Sequence, residues 1–452
     1  MSAPPALTLP AWLSMLCALS VAFVAAFTAT SASLDNTNGT LLAMQAARVN
    51  AASGIVNRGG SIYGGSALSL GTQGDIDNTR GSVQTAGDLS VDATGALVNA
   101  QGTISANGAH GTANVSAANF DNTGGKLTNA GDGAMTVNAS DVRNIRGTLG
   151  GNGDVTVNAQ TLENDAGANL VASGAANLNV AQRIDNTGGT LFGGTALNVG
   201  QATTTVINDG GSILGGRDVT ANVASLSNAN GSIRANRDVS VSGVVSGDGA
   251  MIAGRNLGLA VNGDYTNDAA NHLHADGDMT LSATGTLTNT GTLEAAGALT
   301  ASAQDVVNAA GADINSSNTT VNAANTIKNA GRIEGDTVTT NSATLDNTAT
   351  VIGNNVTVNA TDVKNSGAAA VIAGANSVHI YAANSVTNQD GALIYSAGNL
   401  EIGKDGVRDA SGMLANQTNT LINSAANIEA DARRGARQRR IGAATRPLRL
   451  RT

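Results

Sequence analysis

Ile76 to Leu97 reads IDNTRGSVQTAGDLSVDATGAL, and this stretch decides the fold. It opens with an aliphatic residue, any residue, Asn, two further residues and Gly, followed closely by another aliphatic residue. The same opening recurs at Ile55, Leu97 and Phe120. The period is about 20 to 22 residues, which is typical of a solenoid whose turns stack to bury a shared core.

The repeat extends over most of the chain. Turns open near residues 34, 55, 76, 97, 120, 142, 162, 184, 206 and 226, and again near 265, 287, 306, 327, 345, 363 and 386. A degenerate turn is expected near Val244, a weaker copy at Val407 and a partial one at Leu421. The sequence therefore predicts about nineteen turns, well above the three or so that a solenoid needs.

Each repeat carries strand signals. Gly87 to Val91 alternates aliphatic and polar residues, as a half-buried strand does, and short segments such as Ser82 to Gln84 form a second strand. A third strand surrounds the aliphatic residue two positions before the Asn, while Gly and Asn suit the bends. Three strands per turn predict an all-β fold, a parallel β-helix, as a monomeric rod with turns about 4.8 Å apart.

One Asn per repeat predicts a ladder of stacked side-chain amides, each bonding the residues above and below. The predicted ladder residues are Asn36, Asn57, Asn78, Asn99, Asn122, Asn144, Asn164, Asn186, Asn208, Asn228, Asn267, Asn289, Asn308, Asn329, Asn347, Asn365 and Asn388.

Composition agrees with a narrow core. Aromatic residues make up 2% of the 452 residues and charged residues 13%, whereas Gly occurs 57 times. The net charge is -9, and the eight Arg residues after residue 431 leave the remainder at -9 - 8 = -17. An acidic body disfavours nucleic acid as a partner. Cys17 is the single cysteine, so the body needs no oxidative folding.

The two ends differ from the repeat. Residues 1–33 carry no charge and include the apolar run from Ala11 to Ala29, which predicts a cleaved signal peptide, a membrane anchor or an artefact of the start site. Residues 34–430 form the repeat region. Residues 431–452 are Arg-rich and predicted to be disordered. They are interpreted either as a basic arm that binds nucleic acid or membrane, or as the end of a truncated or out-of-frame sequence.

Chemistry-bearing residues are few. One corner of the repeat carries an acidic residue in several turns: Asp88, Asp154, Asp218, Asp238 and Asp278. The simpler interpretation is that each Asp bonds its own backbone in a turn. The alternative is that the row of carboxylates binds cations weakly. His272 and His274 have the spacing of a metal pair, but surface decoration is the simpler interpretation. We predict no catalytic residues, no metal and no cofactor, and hence no enzymatic activity.

The repeat unit, as in Ile76 to Val91 and Leu287 to Gly297, resembles the repeats of filamentous haemagglutinin and the stalks of contact-dependent growth-inhibition exoproteins. The resemblance implies a right-handed β-helix, export through an outer-membrane two-partner secretion pore, and display at the surface of a Gram-negative bacterium. Adhesion to a host or bacterial receptor or glycan, or presentation of a distal toxin, is the expected function.

The chain departs from this family at both ends, because it lacks the N-terminal secretion domain and any toxin module. It is therefore expected to be a fragment of a larger exoprotein. Two alternatives to the stalk are a non-functional remnant of a disrupted gene and a β-helical carbohydrate-active enzyme.

Overall fold

The computed structural model describes residues 7–8, 20–268 and 273–431. Within these residues every regular element is a β-strand, and the strands stack in parallel as a β-solenoid of about 18 turns. The predicted all-β parallel β-helix is confirmed. In the same ranges no helix is long and apolar enough to cross a membrane.

The chain divides into two compact units, Met1–Gly249 (unit 1) and Ala250–Thr452 (unit 2). The strands of unit 1 are β1 Leu7–Thr8, β2 Ser20–Phe23, β3 Phe27–Ser31, β4 Leu34–Asp35, β5 Thr40–Ala43, β6 Ala47–Ala51, β7 Gly54–Val56, β8 Ser61–Gly64, β9 Ala67–Thr72, β10 Asp75–Asp77, β11 Ser82–Thr85, β12 Asp88–Ala93, β13 Ala96–Val98, β14 Thr103–Ala106, β15 Ala113–Ser116, β16 Asn119–Asp121, β17 Lys126–Asn129, β18 Met135–Asn138, β19 Asp141–Arg143, β20 Thr148–Gly151, β21 Val155–Glu163, β22 Asn169–Ala172, β23 Ala176–Asp185, β24 Thr190–Gly193, β25 Ala196–Val199, β26 Thr205–Ile207, β27 Ser212–Gly215, β28 Asp218–Ser227, β29 Ser232–Ala235 and β30 Val239–Ser246.

The strands of unit 2 are β31 Ala250–Ala253, β32 Leu257–Val261, β33 Tyr265–Asn267, β34 Leu273–Ala275, β35 Met279–Ala283, β36 Thr286–Asn289, β37 Thr292–Ala303, β38 Asp305–Asn308, β39 Asp313–Ala323, β40 Thr326–Asn329, β41 Arg332–Asn341, β42 Thr344–Asn347, β43 Thr350–Ser366, β44 Val371–Gln389, β45 Leu393–Ser396, β46 Asn399–Gly403, β47 Thr420–Ser424 and β48 Asn427–Ala430.

Three parallel sheet faces surround the core of unit 1. Ile76 of β10 lies in register with Ile55 of the turn before and Leu97 of the turn after. Val83 of β11 and Leu89 of β12 have equivalent neighbours on the other two faces. All of these side chains are buried, so each turn places its aliphatic residues directly on those of the next turn.

The degenerate turn near Val244 forms as expected. Val245 is buried and lies in register with Leu226, while Ser246 lies in register with Ser227. Gly247 follows where the preceding turn has Asn228, so this turn keeps its strand and lacks the ladder residue.

The pairing begins inside the segment predicted as a leader. β2 pairs with β5, and β3 pairs with β6, where Phe27 is in register with Ala47. Phe27 and Ala29 are buried. The interpretation of residues 1–33 as a signal or anchor stays a prediction, and residues 432–452 of the tail lie outside the described residues.

The predicted weak turn at Val407 is wrong. β47 is in register with β44, and Leu421 pairs with Val386. Residues 404–419 therefore leave the solenoid as a loop between β46 and β47. Val407 is 54% exposed, because it lies on this loop and contributes nothing to the core.

Candidate functional site

The repeated Asn residues of unit 1 form a continuous chain of hydrogen bonds. Asn57 Nδ2 donates to Asn78 Oδ1 at 2.7 Å, and Asn78 Nδ2 donates to Asn99 Oδ1 at the same distance. The same bond joins each successive pair from Asn36 to Asn228, at 2.7 to 2.8 Å. These side chains are buried, so each amide satisfies its neighbour where water is excluded.

Each Asn also holds the corner in which it lies. Asn57 Nδ2 donates to Gly60 O and to Ser82 O of the following turn, both at 3.2 Å. The Gly60 amide in turn donates to Asn57 O at 3.2 Å. One side chain therefore connects its own bend to the next strand, which explains why the repeat combines Asn with a Gly three residues later.

Unit 2 contains the same chain of bonds, from Asn267 through Asn388 at 2.7 to 2.9 Å. It continues for one residue that the sequence analysis missed, because Asn388 Nδ2 donates to Asn423 Oδ1 at 2.8 Å. Leu421-Ile-Asn423 has the aliphatic, any residue, Asn signature, which was the signal available.

The corner carboxylates bond differently from the prediction. Asp88 Oδ1 accepts from the Thr112 amide at 2.9 Å, Asp154 Oδ1 from Ala175 at 2.7 Å, and Asp278 Oδ1 from Ala298 at 2.8 Å. In each case the donor lies one turn further along, not in the Asp residue's own bend. The carboxylate thus satisfies a backbone amide of the following turn.

The alternative prediction, a row of carboxylates that binds cations, is not supported by the register of these residues. Of the five corner acids, Asp218 and Asp238 lie in successive turns. Arg237 lies between them, with Nε 2.8 Å from Asp218 Oδ1 and 3.7 Å from Asp238 Oδ2. The hydrogen bond from Arg237 holds the pKa of Asp218 below its usual value. Its guanidinium offsets one of the two negative charges of this pair, which weakens the attraction of the pair for a cation.

The predicted histidine pair is only partly described. His272 lies outside the described residues, and His274 Nε2 is 3.0 Å from Asp276 Oδ1. In residues 7–8, 20–268 and 273–431, no group of three or more His, Cys, Asp or Glu side chains is arranged to hold a metal ion.

The loop of residues 404–419 (loop L) brings together side chains that the sequence did not associate. Arg408 donates to both carboxylate oxygens of Glu401, at 2.8 and 2.9 Å. Glu401 Oε2 is also 3.3 Å from the Tyr381 hydroxyl, which donates to it, and 3.7 Å from His379 Nε2. The His379 and Tyr381 rings stack with centroids 5.9 Å apart. Burial and the Glu401 carboxylate raise the pKa of Tyr381.

Hydrogen bonds within loop L give it a defined conformation. Asn416 Nδ2 donates to both oxygens of Asp405 at 2.9 and 3.0 Å, and Asp409 Oδ1 accepts from the Ser411 and Met413 amides. Glu401 is neutralised by Arg408, so the cluster fixes the loop on the solenoid. The sequence signal was the spacing of 35 residues between Asn388 and Asn423, against 18 to 23 for the other successive ladder residues within each unit.

Comparison with known proteins identifies this repeat. The model of the haemagglutinin repeat matches six stretches, residues 22–80, 72–134, 130–188, 171–243, 231–283 and 280–349. The chain belongs to the haemagglutinin repeat family. Haemagglutinin repeats thus begin within the predicted leader, and the structure continues the same turns beyond residue 349 to β48.

A relative supports the same assignment. The chain is 29% identical over 205 residues to the tRNA nuclease CdiA-2 of Burkholderia pseudomallei strain 1026b, which covers 44% of this chain and 6% of that protein. The matched stretch is therefore a small part of the relative's length. No solved structure matches the chain.

Proposed function

We propose that this chain is a stalk segment of a large secreted bacterial exoprotein, and that it adheres to cells or holds a distal toxin away from the surface. The observation that carries the proposal is the continuous Asn chain within each unit. Each turn that carries a ladder Asn adds the same amide bond and the same kind of aliphatic contacts, so added repeats extend the structure without requiring a new core.

Partner and location belong to the same proposal. Membership of the haemagglutinin repeat family supports export by a two-partner secretion pore to the surface of a Gram-negative bacterium. The absence of cysteine after Cys17 supports transport of an unfolded chain, since no disulfide has to form or break. Folding of one repeat on another then suits a chain that emerges progressively.

Display on living cells tests the proposal. The full chain would be fused between a two-partner secretion domain and a C-terminal epitope, in a Gram-negative host with or without the cognate pore. We expect antibody to reach the epitope on intact cells only when the pore is present. An epitope that stays inside the cell despite the pore would contradict the proposal.

Reach can be tested with a matched pair of deletions in that fusion. Removing residues 57–77 takes out one whole turn and leaves Asn36 to meet Asn78, so folding and display should be kept. Removing residues 57–66 takes out half a turn and puts aliphatic residues out of register, so display should fall. Equal display of both would argue against a stalk built from stacked turns. The proposed role is non-catalytic, and turnover of a polysaccharide by the purified chain would contradict it.

A further inference from the structure

Five successive turns of unit 2 form an open groove of about 690 Å³. One wall follows the row from Asn315 through Glu334 to Tyr395, whose members are in register. The other wall carries Asp336 and Asn354. The groove therefore runs across the strands, with one set of side chains contributed by each turn.

Three glycines align along the floor of the groove. Gly335, Gly353 and Gly374 are in register in consecutive turns. A Cβ on Gly353 would lie 2.6 Å from Gly335 O, and one on Gly374 would lie 2.2 Å from Ser377 O. Each missing Cβ would meet the backbone of the solenoid itself, so the glycines permit the sharp bend that lies between the two walls of the groove.

The walls are polar and carry negative charge. Asn354 Nδ2 donates to Asp336 Oδ1 at 2.8 Å, and Arg332 pairs with Glu334 beside the groove. Lone pairs on both carboxylates remain available to accept hydrogen bonds from hydroxyl groups. Tyr395 is half-buried and presents an aromatic ring at one end of the groove. Acceptors with an aromatic ring suit a polyhydroxylated ligand and disfavour a polyanion.

We infer that this groove binds an extended neutral oligosaccharide, with about one sugar ring per turn. Turns of a parallel sheet repeat at about 4.8 Å, close to the length of one hexose in an extended chain, so successive sugars meet successive turns in the same way. The inference rests on the proposed adhesive function and names the class of ligand for it.

A second groove in unit 1 provides a contrast. It measures about 550 Å³ and is lined by Asn138, Asn158 and Asn179, with no aromatic or acidic residue in its lining. Its amides bond one another, with Asn158 donating to Asn138 at 2.7 Å and Asn179 donating to Asn158 at 2.8 Å. Those donors and acceptors are already paired along the row, so we place the sugar in the unit 2 groove.

Calorimetric titration of the purified full chain with chitohexaose, cellohexaose and a heparin hexasaccharide tests the inference. We expect at least one neutral hexaose to bind, more tightly than its own dimer, while heparin does not bind. Tyr395→Ala should weaken binding by about tenfold, and Ala373→Arg should abolish it by filling the groove. Tyr63→Ala removes a half-buried outward tyrosine in unit 1, and should leave binding unchanged.

Circular dichroism should show that all three variants keep the β signal of the parent chain. Absence of binding by both neutral hexaoses, preference for heparin, or equal loss in Tyr395→Ala and Tyr63→Ala would overturn the inference. Because these titrations need no export, they can fail while the display experiment succeeds, which separates this inference from the stalk proposal.

Discussion

Unit 1 and unit 2 contain the same type of Asn chain. They differ in the arcs, which are the residues between each ladder Asn and the strand that follows it. In unit 1 three residues separate each Asn from the next strand, except after Asn164, where four do. In unit 2 the arcs with every residue described have two to five residues. The Asn bond is thus compatible with bends of several lengths.

Backbone conformation shows the difference. The second residue after each ladder Asn of unit 1 has a positive φ, as at Arg80 with 57° and Gly188 with 63°. In unit 1 the third residue is Gly in every three-residue arc. At the position before the next strand in unit 2, Ala312, Ala370 and Ala392 are buried in arcs of four or five residues, and Ala also ends the two-residue arc at Ala349 and the three-residue arc at Ala426. Gly at this position is therefore a feature of the unit 1 arcs, whereas unit 2 accepts Ala there.

The largest expected effect comes from breaking the feature that both units share. Asn144→Leu leaves the buried Asn164 Oδ1 without a partner and removes one of the acceptors of Asn122 Nδ2, which keeps its bonds to Gly125 O and Thr148 O. It should lower the free energy of unfolding by roughly 2 to 4 kcal/mol, from one orphaned buried oxygen and one lost hydrogen bond. Hydrogen exchange of the peptides that cover this turn in the full chain would measure it.

Asn158→Leu is the matched control, because Asn158 makes the same type of amide bond on a half-exposed row. It should change stability by about 0.5 kcal/mol or less, since water can replace the lost partner. Equal effects of the two substitutions would mean that burial does not matter to the Asn chain.

A second test targets the compact arc. Gly211→Ala would place a Cβ 2.1 Å from Asn186 O and 2.7 Å from Asn208 Oδ1, and should cost about 1 to 3 kcal/mol through overpacking. The reverse exchange in a four-residue arc, Ala392→Gly, should cost about 1 kcal/mol or less. Urea denaturation followed by circular dichroism measures both, and a larger loss for Ala392→Gly would refute the steric explanation for Gly in the unit 1 arcs.

A smaller gain should come from relieving a strained residue. Ala166 has φ of 52° and an exposed side chain, so Ala166→Gly removes the cost of a left-handed alanine and should stabilise the chain by about 0.5 kcal/mol. Ala310 in unit 2 lies outside the left-handed region, and Ala310→Gly should destabilise by a similar amount. Thermal unfolding would show opposite shifts; shifts of the same sign would contradict the argument.

The smallest expected effect is on the pH dependence of stability. A carboxyl group in unit 1 has a lowered pKa, whereas one in unit 2 has a raised pKa. Arg237 lowers the pKa of Asp218. The ionised Asp218 therefore stabilises the fold above the unfolded pKa of 3.8, and this stabilisation is lost as pH falls through the folded pKa. Burial raises the pKa of Asp313, whose Oδ1 lacks a hydrogen-bond partner among the described residues. Its charge opposes folding, and stability is lost as pH rises through the folded pKa.

Asp218→Asn should therefore lower the urea midpoint at pH 7 and have less effect near pH 3. Asp313→Asn should raise the midpoint at pH 7, again with less effect near pH 3. If both substitutions shift the midpoint in the same direction at pH 7, the assigned causes of these pKa values are incorrect.

The sequence by itself determined the strands, the parallel stacking and the presence of one Asn per repeat. These follow from the alternation in stretches such as Gly87 to Val91 and from the period, because the same local pattern placed one turn later gives the same fold in register. Even the degenerate turn at Val245 could be predicted, since its aliphatic residues keep that pattern without the Asn.

Tertiary structure alone decided how residues about 20 positions apart meet. It directed Asp88 to an amide of the next turn, removed Val407 from the core into loop L, and brought Arg408 to Glu401. It also aligned Gly335, Gly353 and Gly374 beneath one groove. The physical reason is that the register between turns, which no single repeat contains, determines which side chains become neighbours.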